Sequence, residues 1–351
     1  MGLGVEILWR LRARPRILAA AGVLLVAAGF GGGWAMANHV GAERVAYTSG
    51  PPPLPARPSP APAPPAELQA DLQDLIDRYR EPVGVAITDV PAGWTAQIAG
   101  DEVYPQQSVS KLWVALAVLQ AVDDGKMRLD QWAVMRPDDR SVFYQPLASR
   151  IRDPDGLAIT LADLLRHALI ARDNSANDKL IREIGGAGVV TRVIAEKGLA
   201  GLSVGGTERD LQTRTAGLEW RPEYGVTWLF KQARAQLPDA VRDAAQAAYL
   251  ANPPDGASPV AIAAALAQLK RGELLSGAST DFMLDLMGEA RTGPRRLRGG
   301  LSPGWTLAHK TGTGPDWRGA SVGINDVGLL TAPDGHTYAV AVMLRQTSRP
   351  P

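Results

Sequence analysis

The sequence predicts an α+β fold, a three-layer α/β sandwich in which helices cover an antiparallel sheet of about five strands. The strands are expected from both ends of the chain, because strand-like runs bounded by turn residues occur near each end of the folded region. These runs occupy residues 83–90, 94–99, 305–311, 320–331 and 337–344. Helical periodicity dominates between them, so we expect an all-α domain of about residues 101–260 inserted into the sheet.

Residues 1–47 are predicted to be an N-terminal signal or membrane-anchor segment. Arginines occupy alternate positions over residues 10–16, and residues 17–37 contain no charged side chain. Ala35-Met36-Ala37 has the pattern of a signal-peptide cleavage site, whereas about 20 uncharged residues are enough to span a bilayer. Both alternatives predict an exported, periplasmic protein, tethered to the inner membrane if residues 17–37 are retained.

A proline-rich linker is predicted over residues 48–66, and a folded domain over residues 67–351. The linker would be an extended, semi-rigid spacer of about 3.1 Å per residue. A spacer placed directly after a membrane segment favours the anchor slightly over the cleaved signal.

The folded domain is expected to begin with an amphipathic helix and a hairpin. Apolar residues from Leu68 to Tyr79 recur on one helical face, and Pro82 ends that helix. The turn at residues 91–93 joins the first two strands.

The middle of the chain is predicted to be helical, with loops between the helices. An apolar run over residues 112–119 predicts a buried helix, and Thr160 with Asp163 forms a capping box that begins another. Loops are expected at residues 140–158, around Glu208, and in the Trp-rich stretch after residue 213. The remaining helices are predicted at residues 176–184, 189–197, 238–250, 259–271 and 279–290.

The composition excludes several classes of function. Lys and Arg total 37 against 36 Asp and Glu, so no bulk charge favours nucleic acid. The chain has no cysteine, and its four histidines lack ligand spacing, so we expect no disulfide, metal site or cofactor. The basic cluster at residues 294–298 is interpreted as a solvated turn.

Ser108 and Lys111 are the first candidate catalytic residues. They stand three positions apart at the head of the apolar helix, where they can share a face. A helix N-terminus suits an oxygen anion, and a lysine in a dry site can serve as the base that a serine nucleophile needs. The alternative is an N-cap serine followed by a first-turn lysine without catalytic meaning.

Lys310-Thr311-Gly312-Thr313 forms the second candidate motif, at the end of a predicted strand. Glycine in a strand permits close approach of a ligand. Lys310 would attract a carboxylate, and the backbone N–H groups of Thr313 and Ser108 would form an oxyanion hole. A lysine in a glycine-rich hairpin is the alternative.

S-x-x-K, an S-D-N-like triplet and K-T-G, in this order, resemble the motif set of class A β-lactamases and penicillin-binding proteins. The resemblance covers about residues 66–346 and implies the β-lactamase/transpeptidase-like fold, with residues 67–351 as the catalytic domain. It implies that Ser108 is acylated, that Lys111 is its general-base partner, and that Lys310 is also catalytic. The residues that it places in contact with substrate are Tyr144, Asp173, Asn174, Thr311, Gly312 and Thr313.

Glu208 resembles the glutamate that activates the deacylating water in class A enzymes. Glu208-Arg209-Asp210-Leu211-Gln212 is similar to the E-x-x-L-N pattern of the family, with Gln212 in the Asn position. This glutamate distinguishes a β-lactamase from a penicillin-binding protein. The alternative is a surface glutamate in a charged loop.

Two features near the cleft depart from the family pattern. Arg172 occupies the position of the triplet's serine, and a guanidinium cannot pass on a proton at neutral pH, although it could bind an anionic group of the substrate. In addition, the segment at residues 213–258 is longer than the corresponding segment of the family and would change the shape of one rim of the cleft.

Three functions remain open at this point. The first is a monomeric serine hydrolase that opens a β-lactam through an acyl-enzyme on Ser108, with deacylation assisted by Glu208. The second is a related acyl-serine hydrolase or peptidase that acts on peptidoglycan peptides or esters. The third is a catalytically impaired penicillin-binding or wall-binding domain.

Overall fold

The computed structural model describes residues 62–152 and 154–349. The predicted signal or anchor segment at residues 1–47 and most of the predicted linker lie outside them. No helix among the described residues is both long and apolar enough to cross a membrane.

Helices make up most of the middle of the domain, as the periodicity predicted. The helices of the described residues are α1 (Ala66–Tyr79), α2 (Lys111–Asp123), α3 (Leu161–Leu169), α4 (Asn174–Glu183), α5 (Ala187–Glu196), α6 (Glu208–Thr215), α7 (Thr227–Gln236), α8 (Asp239–Ala251), α9 (Pro259–Lys270) and α10 (Gly277–Glu289).

The strands form one large antiparallel sheet and two short ribbons. The strands of the described residues are β1 (Val83–Asp89), β2 (Thr95–Ile98), β3 (Tyr104–Pro105), β4 (Trp132–Met135), β5 (Leu157–Thr160), β6 (Gly256–Ala257), β7 (Thr306–Gly312), β8 (Asp316–Trp317), β9 (Ala320–Thr331) and β10 (Thr337–Thr347). The large sheet has the order β2-β1-β10-β9-β7, with the short β8 paired to β9. Its five main strands come from both ends of the chain, as predicted.

Helix α1 covers one face of the sheet. Leu72 and Leu75 of this helix pack in one core cluster with Val85 and Ile87 of β1 and with Val340 of β10. Alternate residues of a strand point to opposite faces, so the residues between them serve the other face.

The remaining helices cover the second face. Ala86, Ala339 and Ala341 belong to a larger core cluster that includes α2, α9 and α10. Helix α2 is buried on all sides from Lys111 to Leu119, which explains why its apolar residues show no amphipathic stripe. The three layers are therefore helix α1, the sheet and the remaining helices. This arrangement confirms the predicted α+β sandwich.

Two predicted loops are wrong, and a third ends earlier than predicted. Glu208 does not lie in a loop but begins helix α6, with Thr207 as the N-cap whose side chain accepts from the Asp210 N–H. The Trp-rich stretch contains helix α7, and the end of the predicted loop at residues 140–158 forms strand β5. Helix α6 is mostly polar, with Leu211 as its buried apolar residue, so tertiary packing rather than periodicity determines it.

Candidate active site

The candidate nucleophile lies in a tight turn at the head of α2. Gln107–Ser110 is a 3₁₀ turn that leads directly into α2 at Lys111. In a 3₁₀ turn the side chains of residues i and i+3 eclipse, so Ser108 and Lys111 project on the same side. Gln107 has a φ of 52°, a left-handed conformation that is uncommon for a residue with a side chain. Backbone strain of this kind is concentrated at functional sites.

Lys111 is the centre of the polar contacts in the cleft. Its side chain is almost wholly buried, and its Nζ donates to Asn174 Oδ1 at 2.6 Å and to the Arg172 carbonyl at 3.3 Å. The same Nζ lies 3.5 Å from Glu208 Oε1, and the Glu208 side chain is also buried. The structure therefore brings together the lysine of the first motif, the asparagine of the second and the predicted deacylation glutamate.

The Ser108 hydroxyl makes no hydrogen bond to the residues that the structure describes, and its side chain is partly exposed. The partners of the Lys111 amine are Asn174, Arg172 and Glu208 rather than Ser108. Catalytic hydrogen bonds are often long or unformed without substrate and tighten in the reacting complex. Ser108 is thus open to the cleft while its proposed partner is held in place behind it.

The side chains of Asp173 and Asn174 make different hydrogen bonds. Asp173 is the N-cap of α4, and its carboxylate accepts from the N–H groups of Ala176 at 3.0 Å and Leu147 at 2.6 Å. These bonds occupy both carboxylate oxygens. Asn174 has its Oδ1 on Lys111 and its Nδ2 on the Val142 carbonyl at 2.9 Å. Asp173 therefore shapes the turn that presents Asn174.

Tyr144 and Arg172 lie together on one rim of the cleft. The Tyr144 carbonyl accepts from the Asn174 N–H at 2.9 Å, and 55% of the Tyr144 residue is exposed. The exposed Arg172 guanidinium lies 5.6 Å from the centre of the Tyr144 ring. Arg172 has a φ of 60°, so the chain bends sharply at the position of the missing motif serine. The rim thus carries a cation where a hydroxyl was expected from the family pattern.

Strand β7 supplies the lysine and threonines of the third motif. Lys310 is fully buried, and its Nζ donates to the Thr311 carbonyl at 3.0 Å. Burial lowers the pKa of Lys310 well below its usual value, and the positive charges of Lys111 and Arg172 add to this effect. The Thr311 hydroxyl donates to Thr292 at 2.8 Å, so it is occupied by a protein partner.

Gly312 allows β7 to approach the nucleophile turn. A Cβ at this position would lie 2.3 Å from the Gln106 carbonyl oxygen, which no real side chain tolerates. Asn325 of β9 adds to this junction, because its Nδ2 donates to the carbonyls of Pro105 at 2.8 Å and Gln106 at 2.9 Å. Backbone contact therefore fixes the strand that carries Lys310 against the turn that carries Ser108.

Arg296 is a site residue that sequence reasoning missed. The interpretation of residues 294–298 as a solvated turn is wrong for this arginine, because its guanidinium is directed at the end of β7. It donates to the Gly312 and Asn325 carbonyls, each at 2.8 Å, and to Thr313 Oγ1 at 2.7 Å. Burial lowers the pKa of Arg296 from its ordinary value. The sequence shows that the cluster contains several arginines, but it does not indicate which of them faces inward.

Asp178 is a second missed residue. It is fully buried and accepts from the Glu208 N–H at 2.6 Å, the Arg209 N–H at 3.1 Å and the Ser141 hydroxyl at 2.7 Å. Burial raises the pKa of Asp178 to about 6, and the neighbouring Glu208 charge contributes. Asp178 holds the N-terminus of α6 and thereby positions Glu208 beside Lys111.

A comparison of the sequence with models of protein families shows which family the chain matches. The model described as the Beta-lactamase enzyme family matches residues 67–351. The chain belongs to the β-lactamase enzyme family. This match confirms the predicted resemblance and the predicted enzyme class, a β-lactamase-like serine hydrolase.

Individual relatives agree with the family assignment. The chain is 26% identical over 283 residues to the β-lactamase VEB-1 of Pseudomonas aeruginosa. This alignment covers 80% of this chain and 83% of VEB-1. Among solved structures, a β-lactamase from Chitinophaga pinensis is similar with a TM-score of 0.62 and 28% identity. The TLA-3 extended-spectrum β-lactamase is similar with a TM-score of 0.64 and 26% identity. Each comparison covers 80% of this chain and 92% of the solved one.

Proposed function

We propose that this β-lactamase family member opens a β-lactam ring through an acyl-enzyme on Ser108 and releases the product with a water activated by Glu208. The observation that carries the proposal is the buried Lys111–Glu208 pair, 3.5 Å between Nζ and Oε1, next to the partly exposed Ser108. A structural ion pair alone would not require an adjacent exposed serine and a strained turn.

Acylation would begin with attack of Ser108 Oγ on the lactam carbonyl. The Lys111 amine, in its neutral form, would accept the hydroxyl proton, and Glu208 would stay a carboxylate for the second step. The new bond joins Oγ to the carbonyl carbon, and the bond from that carbon to the lactam nitrogen breaks as the nitrogen takes up the proton that Lys111 accepted. The N–H groups of Ser108 and Thr313 would stabilise the oxyanion, and Lys310 and Arg296 would attract the substrate carboxylate.

Deacylation would use Glu208 as the base for water. Glu208 Oε1 and Gln212 Oε1 are buried acceptors without a hydrogen-bond partner among the described residues. Two acceptors of this kind, close to the nucleophile turn, suit one bridging water. Glu208 would take a proton from the water as the water oxygen bonds to the acyl carbon. The bond from that carbon to Ser108 Oγ then breaks, and the proton taken by Glu208 goes to the leaving Oγ.

Hydrolysis of a chromogenic cephalosporin by the purified protein tests the proposal. We expect turnover by the wild-type enzyme and none by Ser108→Ala. Absence of both turnover and a covalent adduct with the wild-type protein would contradict it.

A related acyl-serine hydrolase of peptidoglycan peptides or esters is the second candidate, and Arg172 favours it. A cationic rim at the position of the proton-relaying serine suits an anionic peptide better than rapid protonation of a lactam nitrogen. Cleavage of D-Ala-D-Ala peptides without lactam turnover would select this candidate. A permanent penicillin adduct would instead indicate an impaired penicillin-binding domain.

We also propose that the protein is exported to the periplasm and acts there as a monomer, as a β-lactam-degrading enzyme that confers antibiotic resistance. The uncharged stretch at residues 17–37 supports export, either as a cleaved signal or as an inner-membrane anchor. Fractionation of cells, with the mass of the mature chain, distinguishes the two. Light scattering of the purified domain tests the monomer.

A further inference from the structure

Residues 213–258, the segment expected to be longer than in the family, send two buried polar side chains to the nucleophile turn. Tyr249 lies in the last turn of α8, and Asp255 follows in the connection to β6. The Tyr249 hydroxyl lies 2.9 Å from Asp255 Oδ1 and 3.1 Å from Oδ2. Both side chains are buried, Asp255 completely. Since burying these polar groups is costly, their partners indicate what they do.

Gln107 is the shared partner of this pair. Its backbone N–H donates to Asp255 Oδ2 at 2.7 Å, and its Nε2 donates to the Tyr249 hydroxyl at 2.5 Å. Gln107 directly precedes Ser108 and has the left-handed φ of 52°. Asp255 therefore stabilises the strained backbone, while Tyr249 fixes the side chain.

The chain of hydrogen bonds continues from Gln107 to Glu208. Gln212 Nε2 donates to Gln107 Oε1 at 2.8 Å and to Glu208 Oε2 at 3.4 Å. Because the Gln107 Nε2 is directed at Tyr249, the Gln107 Oε1 faces Gln212. Both hydrogens of the Gln212 Nε2 are then used, one on Gln107 and one on Glu208. The orientation of each amide follows from the one before it, beginning at Tyr249.

We propose that Tyr249 is a positioning residue for deacylation, which acts through Gln107 and Gln212 to orient the Glu208 carboxylate. This inference rests on the proposed function. Holding Oε2 on Gln212 leaves Oε1 directed at Lys111, the side on which a water would lose its proton. Without the Tyr249 hydroxyl, the Gln107 amide can rotate and Gln212 loses its fixed acceptor. The Gln107 backbone remains bound to Asp255, so the nucleophile turn keeps its shape.

The test measures acylation and deacylation separately in Tyr249→Phe. Stopped-flow hydrolysis of a chromogenic cephalosporin, with intact mass read over time, gives both rates. We expect deacylation to slow about tenfold, the loss that one neutral hydrogen bond accounts for, and acylation to change far less. Tyr224→Phe is the matched control, because Tyr224 is buried in the same segment and packs on aromatic rings. Its rates should match the wild type.

A second variant separates positioning from packing. Gln107→Met removes the same connection with little change of volume, and it should slow deacylation by a similar factor. Adding Tyr249→Phe to Gln107→Met should then have no further effect, because residues of one network are not additive. Thermal melting checks that each variant is folded.

Three results would overturn the inference while leaving the proposed function intact. These are unchanged deacylation in Tyr249→Phe, an equal loss in both steps, or additive losses in the double variant. A wild-type protein that forms no acyl-enzyme would overturn both proposals at once.

Discussion

The Nζ of Lys111 lies 2.6 Å from Asn174 Oδ1 and is held there in a buried cleft. This contact joins the head of α2 to the head of α4, so the two helices present their polar ends at one place. Glu208, at the head of α6, completes the group from a third helix. The heads of three helices therefore meet at the polar centre of the cleft.

Replacing Glu208 with Gln should trap the acyl-enzyme. The amide keeps the size of the side chain but cannot accept a proton, so deacylation should fall by about 10²–10⁴-fold while acylation is less affected. Mass spectrometry after mixing with penicillin would show a lasting adduct. Glu219→Gln is the control, because Glu219 is exposed. Equal release rates in wild type and Glu208→Gln would rule out this role for Glu208.

Arg172→Ser should raise the rate of acylation by a β-lactam. A hydroxyl at this position can pass a proton to the leaving nitrogen, and such transfer contributes about 10²–10⁴-fold in enzymes. We expect at least a tenfold gain in kcat/KM with a chromogenic cephalosporin. Arg172→Ala removes the same charge without adding a hydroxyl and separates the two effects. A gain of the same size in both variants would show that the charge, and not the missing relay, limits the wild type.

Arg296→Ala should weaken binding of the substrate carboxylate. Loss of a hydrogen bond to a charged group costs about 1.5–3 kcal/mol, which corresponds to about a ten- to hundredfold rise in KM. The nearby Arg291→Ala is the control, because Arg291 is exposed in the same loop. A fall in kcat with KM unchanged would instead assign Arg296 to the shape of β7.

Asp178 should make folding stability depend on pH. Its folded pKa of about 6 exceeds the ordinary value of 3.8, so the folded protein binds this proton more tightly than the unfolded chain. The contribution of Asp178 to stability is therefore greatest below about pH 4 and falls as the pH rises to about 6, by up to about 3 kcal/mol. Urea unfolding of wild type and Asp178→Asn at both pH values measures the difference. The variant should lose this part of the pH dependence, and identical slopes would contradict the shift.

Much of the fold could be predicted from the sequence. Hydrophobic patterns and helix-capping residues gave clear signals for the helices that are buried in the core. The apolar run after Lys111 fixed the position of α2, and the Thr160 cap of α3 was confirmed. Helix α6 was missed because its residues are mostly polar, with Leu211 as the apolar core residue of the helix. The Thr207-x-x-Asp210 capping box was a usable signal for it.

The site was less predictable than the fold. Motif order indicated Ser108, Lys111, Asn174 and Lys310, because these residues stand at fixed distances from helix and strand ends. Arg296 and Tyr249 come from other segments, and nothing local marks which arginine or tyrosine turns inward. Their roles depend on contacts between residues 17 and 142 positions apart in the sequence, which local patterns do not encode.

Intact mass of the wild-type protein, followed over time after addition of penicillin, tests the central claim most directly. We predict an increase equal to one penicillin molecule, located on Ser108 by peptide mapping, that then disappears as the acyl-enzyme is hydrolysed. Ser108→Ala should show no adduct. An unmodified wild-type protein, or an adduct that persists in Ser108→Ala, would contradict the account.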